Sequence, residues 1–192
     1  MKPILLVYAT RQGHARAVAE HIGRALEARG YTAQLADARD CDASLDLEAF
    51  GAAILTASVH LGKHEKEMVK FVRAARPTLE RIPAAFLSVS LTEANAEMTH
   101  NPPEKRSESA RMAAEMMDAF FEETGWHPAR AQPVAGALLY SRYNVLVRWM
   151  MRRIARSEGG DVDTSRDHVY TDWEALDRFV EAFVRELSAA AA

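Results

Sequence analysis

Short unbroken apolar runs recur along the chain. Each is followed by a longer stretch whose apolar positions repeat with helical spacing. Ile4-Leu5-Leu6-Val7-Tyr8 shows no polar alternation, as expected of a strand buried on both faces. Behind it, His14 to Arg29 places Val18, Ile22 and Leu26 on one side with Ala15 and Ala19, and Gly30 ends the segment as a C-cap residue would. Tyr31 to Ala36, Ala52 to Ala57, Ala84 to Val89 and Val134 to Leu139 read as four further strands. Helical spacing predicts helices over Glu65 to Ala75, stopped by Pro77, over about Ser109 to Thr124, and from Thr171 onward, where Thr171-x-x-Glu174 matches a capping box. Strands alternating with helices imply βαβ units and a parallel sheet covered on both sides. Between the fourth strand and the next helix, residues 92–108 are polar and contain two prolines. They read as a long inserted surface loop.

Composition narrows the function classes. The 192 residues are 48% apolar and 27% charged, so one domain spanning 1–192 can bury a two-sided sheet. A single cysteine, Cys41, excludes a disulfide framework and a cysteine-only zinc site and points to a reducing compartment. A net charge of −3 argues against a globally basic nucleic-acid binder. The apolar run at the N-terminus is too short for a secretory signal, and no segment reaches the roughly 20 apolar residues of a transmembrane helix. The expectation is a cytoplasmic protein, with a role at the inner face of the cell membrane left open.

In an open parallel sheet, ligands bind beyond the carboxyl ends of the strands at the switch point of the strand order. Three loops are therefore candidates. Thr10-Arg11-Gln12-Gly13-His14-Ala15 joins a buried strand to a helix and offers a hydroxyl, a cation, a glycine and free N–H groups at a helix N-terminus. These are the means of holding a phosphate. It has neither the Walker spacing nor the three glycines of a dinucleotide loop, and an ordinary βα turn would look the same. Ser58-Val59-His60-Leu61-Gly62-Lys63-His64 is the second loop, and the third starts at Ser90-Leu91-Thr92. His60 and His64 are four apart, but Gly62 between them and the lack of a third ligand argue against a metal site. His14, His21, His100, His127 and His168 show no ligand spacing. No Ser-His-Asp or Cys-His pattern is present, so no side chain is assigned a catalytic role.

Strand, then Thr-x-x-Gly-x, then helix resembles the phosphate loop of flavodoxins. Over nearly the whole chain the sequence resembles the flavodoxin-like, quinone-dependent protoporphyrinogen IX dehydrogenases (protoporphyrinogen oxidases) of bacteria. The similarity rests on Thr10-Arg11-Gln12-Gly13, Ala57 to His64, Ser88 to Leu91, Pro103-Glu104-Lys105-Arg106, Ala135-Gly136-Ala137-Leu138-x-Tyr140-x-Arg142-Tyr143, Gly159-Gly160-x-x-Asp163-Thr164 and Val169-Tyr170-Thr171-Asp172-Trp173-Glu174. The resemblance implies a flavodoxin-like three-layer α/β sandwich whose five parallel strands run in the order 2-1-3-4-5. It implies FMN as cofactor, held by Thr10, Arg11, Gln12, Gly13, His14, Ala15, Ser58, Val59, His60, Leu61, Gly62, Lys63, Ser90, Leu91 and Thr92. It also implies a porphyrinogen substrate and a quinone acceptor, with no nucleic acid and with a homo-oligomer left open. A cation near the flavin ring would stabilise its reduced, anionic form, and Lys63, His60 or His64 could serve. Common flavodoxins have a hydroxyl residue where Ala15 stands, and the insertion, with Glu93 and Glu97, is longer and less basic at its start than expected of the family.

Arg142 to Arg156 carries five arginines, no acid, and Tyr143, Leu146, Val147, Trp149, Met150, Met151 and Ile154. A basic helix with a broad apolar face suits an interfacial membrane helix. It also suits a sheet-covering helix with snorkelling arginine stems, and following the fifth strand it should pack one side on the sheet. Arg106, Arg142 and Arg148 are candidate partners for porphyrin propionates. Two alternatives remain: a flavodoxin-type electron carrier or quinone reductase at the same FMN site, and a non-catalytic flavodoxin-like binding module.

Overall fold

The structure is a computed structural model that describes residues 2–41, 45–157 and 162–190; Gly159 and Gly160 of the resemblance lie outside these. Five parallel strands form its centre: β1 (Ile4–Ala9), β2 (Ala33–Asp37), β3 (Ala52–His60), β5 (Ala84–Ser90) and β6 (Arg130–Ala135), in the order β2-β1-β3-β5-β6. That is the 2-1-3-4-5 order expected from the sequence. Two short additions flank the path. β4 (Lys63–His64) folds back antiparallel on β3, and β7 (Ala137–Leu138) pairs antiparallel with β8 (His168–Val169).

Side chains alternate across the pleat and split the core in two. Ile4, Leu6, Ile54, Leu87 and Val89 face α1 (His14–Glu27) and α6 (Trp173–Ala190), where Val18, Ile22, Phe179 and Phe183 meet them. Leu5, Val7, Leu55 and Phe86 face the other way. They pack with Met68 and Val72 of α2 (Lys66–Leu79) and Phe120 of α4 (Pro103–Thr124). Every residue of β1 and β5 is buried, which is why both read as unbroken apolar runs.

Four expectations are corrected. Residues 92–108 are not one long loop but two helices joined by a short turn at 98–102: α3 (Leu91–Glu97) starts where the Ser90 side chain accepts a hydrogen bond from the Glu93 N–H at 3.0 Å, and α4 begins on Pro103, where a missing N–H costs nothing. These helices read as polar because α3 packs chiefly on α4 and the outer edge of β6, leaving much of their surface in water. The helix through Glu65–Ala75 does not stop at Pro77 but runs to Leu79; Pro77 is exposed in the last turn, so the carbonyl it leaves unbonded can face water. The fifth strand starts at Arg130, with Pro133 tolerated because β6 is an edge strand. The arginine-rich segment forms α5 (Val145–Ser157), but it does not cover the sheet, whose faces are already taken by α1 with α6 and by α2 with α4. It lies across the carboxyl edge instead, anchored by Met151 and Ala155 against Leu138, Tyr140 and Tyr170.

Candidate active site

The chain passes from β1 into α1 through Gly13, which sits in the left-handed region at φ +91°, and its N–H bonds the Thr10 hydroxyl at 2.9 Å. The positive φ calls for glycine here, and a Cβ would push aside the guanidinium of Arg142, which lies directly over Gly13. Arg142 reaches across 130 residues of sequence to donate from Nη1 to the Gln12 carbonyl at 2.7 Å. The first turn of α1 holds no acidic residue, leaving its positive end unopposed. His14 is 8% exposed, and burial, reinforced by the Arg142 charge, pushes its imidazole down to about 4. At neutral pH it is uncharged. Its Nε2 is 2.7 Å from the Thr171 hydroxyl, and since that hydroxyl is 2.6 Å from the Ala135 carbonyl, Nε2–H donates to Thr171, which donates to Ala135. Ala15 is fully buried in the core and offers nothing to a ligand.

The segment after β3 is a hairpin rather than a loop. His60 pairs with Lys63 across a two-residue turn in which Leu61 (φ +51°) and Gly62 (φ +75°) are both left-handed, the combination that matches the twist of a tight hairpin. Leu61 is 87% exposed, and Gly62 and Lys63 are exposed with it at the tip. His64 points inward. It is bonded to the Ser88 hydroxyl at 2.9 Å, packs on Phe86 and Phe120, and is driven down to about 4 by burial. It is therefore neutral and cannot be the cation beside a reduced flavin. Of the three cationic candidates, His60 alone lines the cavity described next. Arg11 is paired as well, its Nε lying 3.0 Å from each oxygen of the buried Glu65 carboxylate.

These loops converge on a cavity of about 310 Å³ at the carboxyl edge of the sheet. Thr10, Arg11, Gln12 and His14 line one end, Ser58, Val59 and His60 the middle, and Val89, Ser90 and Leu91 the far side. Gly13 lines a more polar cavity of about 550 Å³ alongside, with Arg16, Arg39 and Arg142. Ala15, Leu61, Gly62, Lys63 and Thr92 line neither. Sequence reasoning missed Val89, Gly136, Ala137, Tyr143, Val147, Met150 and Met151, the last four of which form the roof. Gly136 has a readable signal, a glycine directly after a strand; a Cβ there would come within 3.1 Å of the Ser90 backbone. The roof residues had none, because their segment was expected on the sheet face. The arginines considered for propionates are engaged with carbonyls: Arg106 Nε donates to Ala96, Arg142 to Gln12, and Arg148 Nη2 to Tyr143. Among the described residues no group of three or more His, Cys, Asp or Glu is placed to hold a metal.

A family model described as a flavodoxin domain matches residues 5–165. An Escherichia coli (strain K12) protein named protoporphyrinogen IX dehydrogenase (quinone) is 30% identical over 175 residues, 91% of each chain. A Leishmania major protein of the same name is 28% identical over 180 residues, 93% of this chain and 73% of that one. Among solved structures, a flavodoxin of Streptococcus pneumonia TIGR4 superposes with a TM-score of 0.53 at 16% identity, covering 95% of this chain and 98% of that one.

Proposed function

The chain belongs to the flavodoxin-domain family, alongside the protoporphyrinogen IX dehydrogenases (quinone), and from that premise we propose that it is an FMN-dependent oxidoreductase that oxidises protoporphyrinogen IX to protoporphyrin IX with a quinone as acceptor. The substrate pair is taken from the name of the relatives. The observation that carries the flavin is the cavity itself, in which a phosphate-binding helix start, a β hairpin and a methionine roof meet over the strand ends.

The residues fit FMN. The Thr10–His14 end offers backbone N–H groups at an acid-free helix start, the Thr10 hydroxyl and the Arg142 charge, which suit a phosphate. Arg142 stands in for the hydroxyl absent at Ala15. Val89, Leu91, Val147, Met150 and Met151 offer an apolar enclosure for a flat ring. When bound, FMN supplies two-electron redox chemistry between the porphyrinogen and the quinone. The protein binds and orients. The roof of α5 keeps water from the ring, and His60 is the side chain placed to hydrogen-bond the group in the middle of the cavity. Neutral His14 holds the phosphate loop to the start of α6 through Thr171.

The outer side of α5 is exposed at Val145, Leu146 and Trp149 (84%, 74% and 60%), and Arg152, Arg153 and Arg156 stand beside them. No helix among the described residues is long and apolar enough to cross a membrane. The exposed apolar and cationic face supports contact with an anionic membrane surface, where a lipid-soluble quinone would be met.

The decisive experiment reconstitutes the protein with FMN and mixes it with protoporphyrinogen IX and menadione under anaerobic conditions. Porphyrin fluorescence should rise only when both the holo-protein and the quinone are present. Flavin binding with no porphyrin formed under any quinone refutes the reading and leaves an electron carrier.

A further inference from the structure

A second cavity, of about 400 Å³, adjoins the first. Three helices each contribute a face to it: Leu91, Thr92, Ala94 and Asn95 from α3, with Met98 just past its end; Lys105, Glu108, Ser109 and Met112 from α4; Met151, Ile154 and Ala155 from α5, with Leu138 and Tyr170 completing the lining. Each set follows the three- and four-residue steps of a helix face, so the groove is built from regular elements rather than from a loose surface depression. Leu91 and Met151 belong to both cavities and form the partition between the groove and the flavin-side cavity. Met112 of α4 and Ile154 of α5 are 42% and 44% exposed, which opens the groove to the outside, and Ile154 lies on the same helix as Trp149 and its arginines. The walls are mainly apolar, and their two charged residues, Lys105 and Glu108, are of opposite sign on one helix face.

We propose that this groove holds the isoprenoid tail of a lipid quinone, with the quinone head against Leu91 and Met151 at the edge of the flavin cavity. The inference rests on the quinone-dependent reading above. Charge decides between the two substrates. A porphyrinogen with two propionates needs cationic walls, and a groove with no net charge leaves them unpaired. A neutral, branched hydrocarbon chain matches methionine-rich helix faces that can repack around it. The path also runs in the right direction, from the exposed apolar side of α5 inward to the partition. The insertion that interrupts the simple flavodoxin pattern then has a purpose: α3 and the start of α4 supply two of the three walls.

The test uses the FMN-loaded protein and two quinones, menadione, which has no tail, and a naphthoquinone carrying short prenyl units. Asn95→Trp and Met112→Trp each fill the groove from a partly exposed position, and an unchanged flavin spectrum and circular dichroism show that the fold is kept. The KM for the prenylated quinone should rise about tenfold, the loss of roughly two buried methylene groups, while those for menadione and protoporphyrinogen stay within about twofold. Equilibrium dialysis of the prenylated quinone, without substrate, should show the same loss of affinity. Equal effects on both quinones, no effect on either, or a rise confined to the porphyrinogen KM would each overturn the proposal. If no variant oxidises porphyrinogen with any quinone but dialysis still shows tail-dependent binding lost in both plugged variants, the groove assignment stands and the oxidase reading falls.

Discussion

In the proposed FMN site, Arg142 carries more of the phosphate end than any residue of the Thr10–Ala15 loop itself. A flavodoxin loop usually surrounds phosphate with hydroxyls and N–H groups. Here Ala15 is turned into the core, Arg11 is held by Glu65, and a guanidinium from the far end of the chain covers Gly13. A charged donor to a phosphate is worth about twice a neutral one. Arg142→Met is therefore expected to weaken FMN binding by about tenfold, some 1.4 kcal/mol, and to leave riboflavin affinity unchanged, since riboflavin has no phosphate. Quenching of flavin fluorescence on titration with apo-protein measures both. Equal losses for the two flavins would show that Arg142 only braces the loop. None of this was legible in the sequence, which pointed to a phosphate loop at Thr10–Ala15 but could not say which cation would meet it from residue 142.

At the scale of elements, periodicity and position tell different stories. The β1, β3 and β5 strands and α1 were readable because burial on both faces, or on one helical face, leaves a dense apolar pattern. α3 and the first turns of α4 were misread as a loop because they pack mainly on one another, whereas the rest of α4 was readable. α5 was read as a helix but placed on the wrong surface. Its apolar residues divide between an inner set, Met151 and Ala155, and an outer set, Val145, Leu146 and Trp149, and a one-dimensional pattern cannot say which set meets protein. The outer set leads to a test. Replacing Arg152, Arg153 and Arg156 with glutamate should abolish co-sedimentation with vesicles containing anionic lipid, since each basic residue near such a surface is worth about 1 kcal/mol. Flavin affinity should not change. Co-sedimentation unaffected by the three replacements would show that α5 is not a membrane contact.

Over the whole molecule, three buried titratable groups shape stability against pH. His14 and His64 have imidazoles depressed to about 4, mainly by burial, whereas the unfolded chain takes up their protons near 6.5. Both therefore contribute stability above pH 6.5 that is lost as pH falls through the window to about 4. Glu93 acts in the opposite sense. Burial, aided by the Glu97 charge, raises its carboxyl to about 7, and one of its oxygens is buried without a hydrogen-bond partner. Its cost appears as pH rises from about 4.5 to 7 and persists above. Two histidines outweigh one carboxyl, so urea unfolding should show a net loss of stability between pH 7 and 4.5, with about 3 kcal/mol of the gross loss due to His64 alone. His64→Gln should make that decline markedly shallower. Glu93→Gln should stabilise the protein at pH 8 and leave it unchanged at pH 4.5. A wild-type curve flat over this range would contradict the burial of both imidazoles.

The sequence by itself determined the layered fold, the strand order through its resemblance, and the three loops that bring Thr10–His14, Ser58–His60 and Ser90–Leu91 to one edge. Local patterns suffice for that, because strands buried on both faces and amphipathic helices are written within a few residues of each other. Only the tertiary structure decided what closes the site. Arg142 over Gly13, His64 turned inward, and the roof and groove made by α3, α4 and α5 all depend on contacts between segments far apart in the chain. Those contacts are set by which surfaces remain uncovered once the sheet faces are filled.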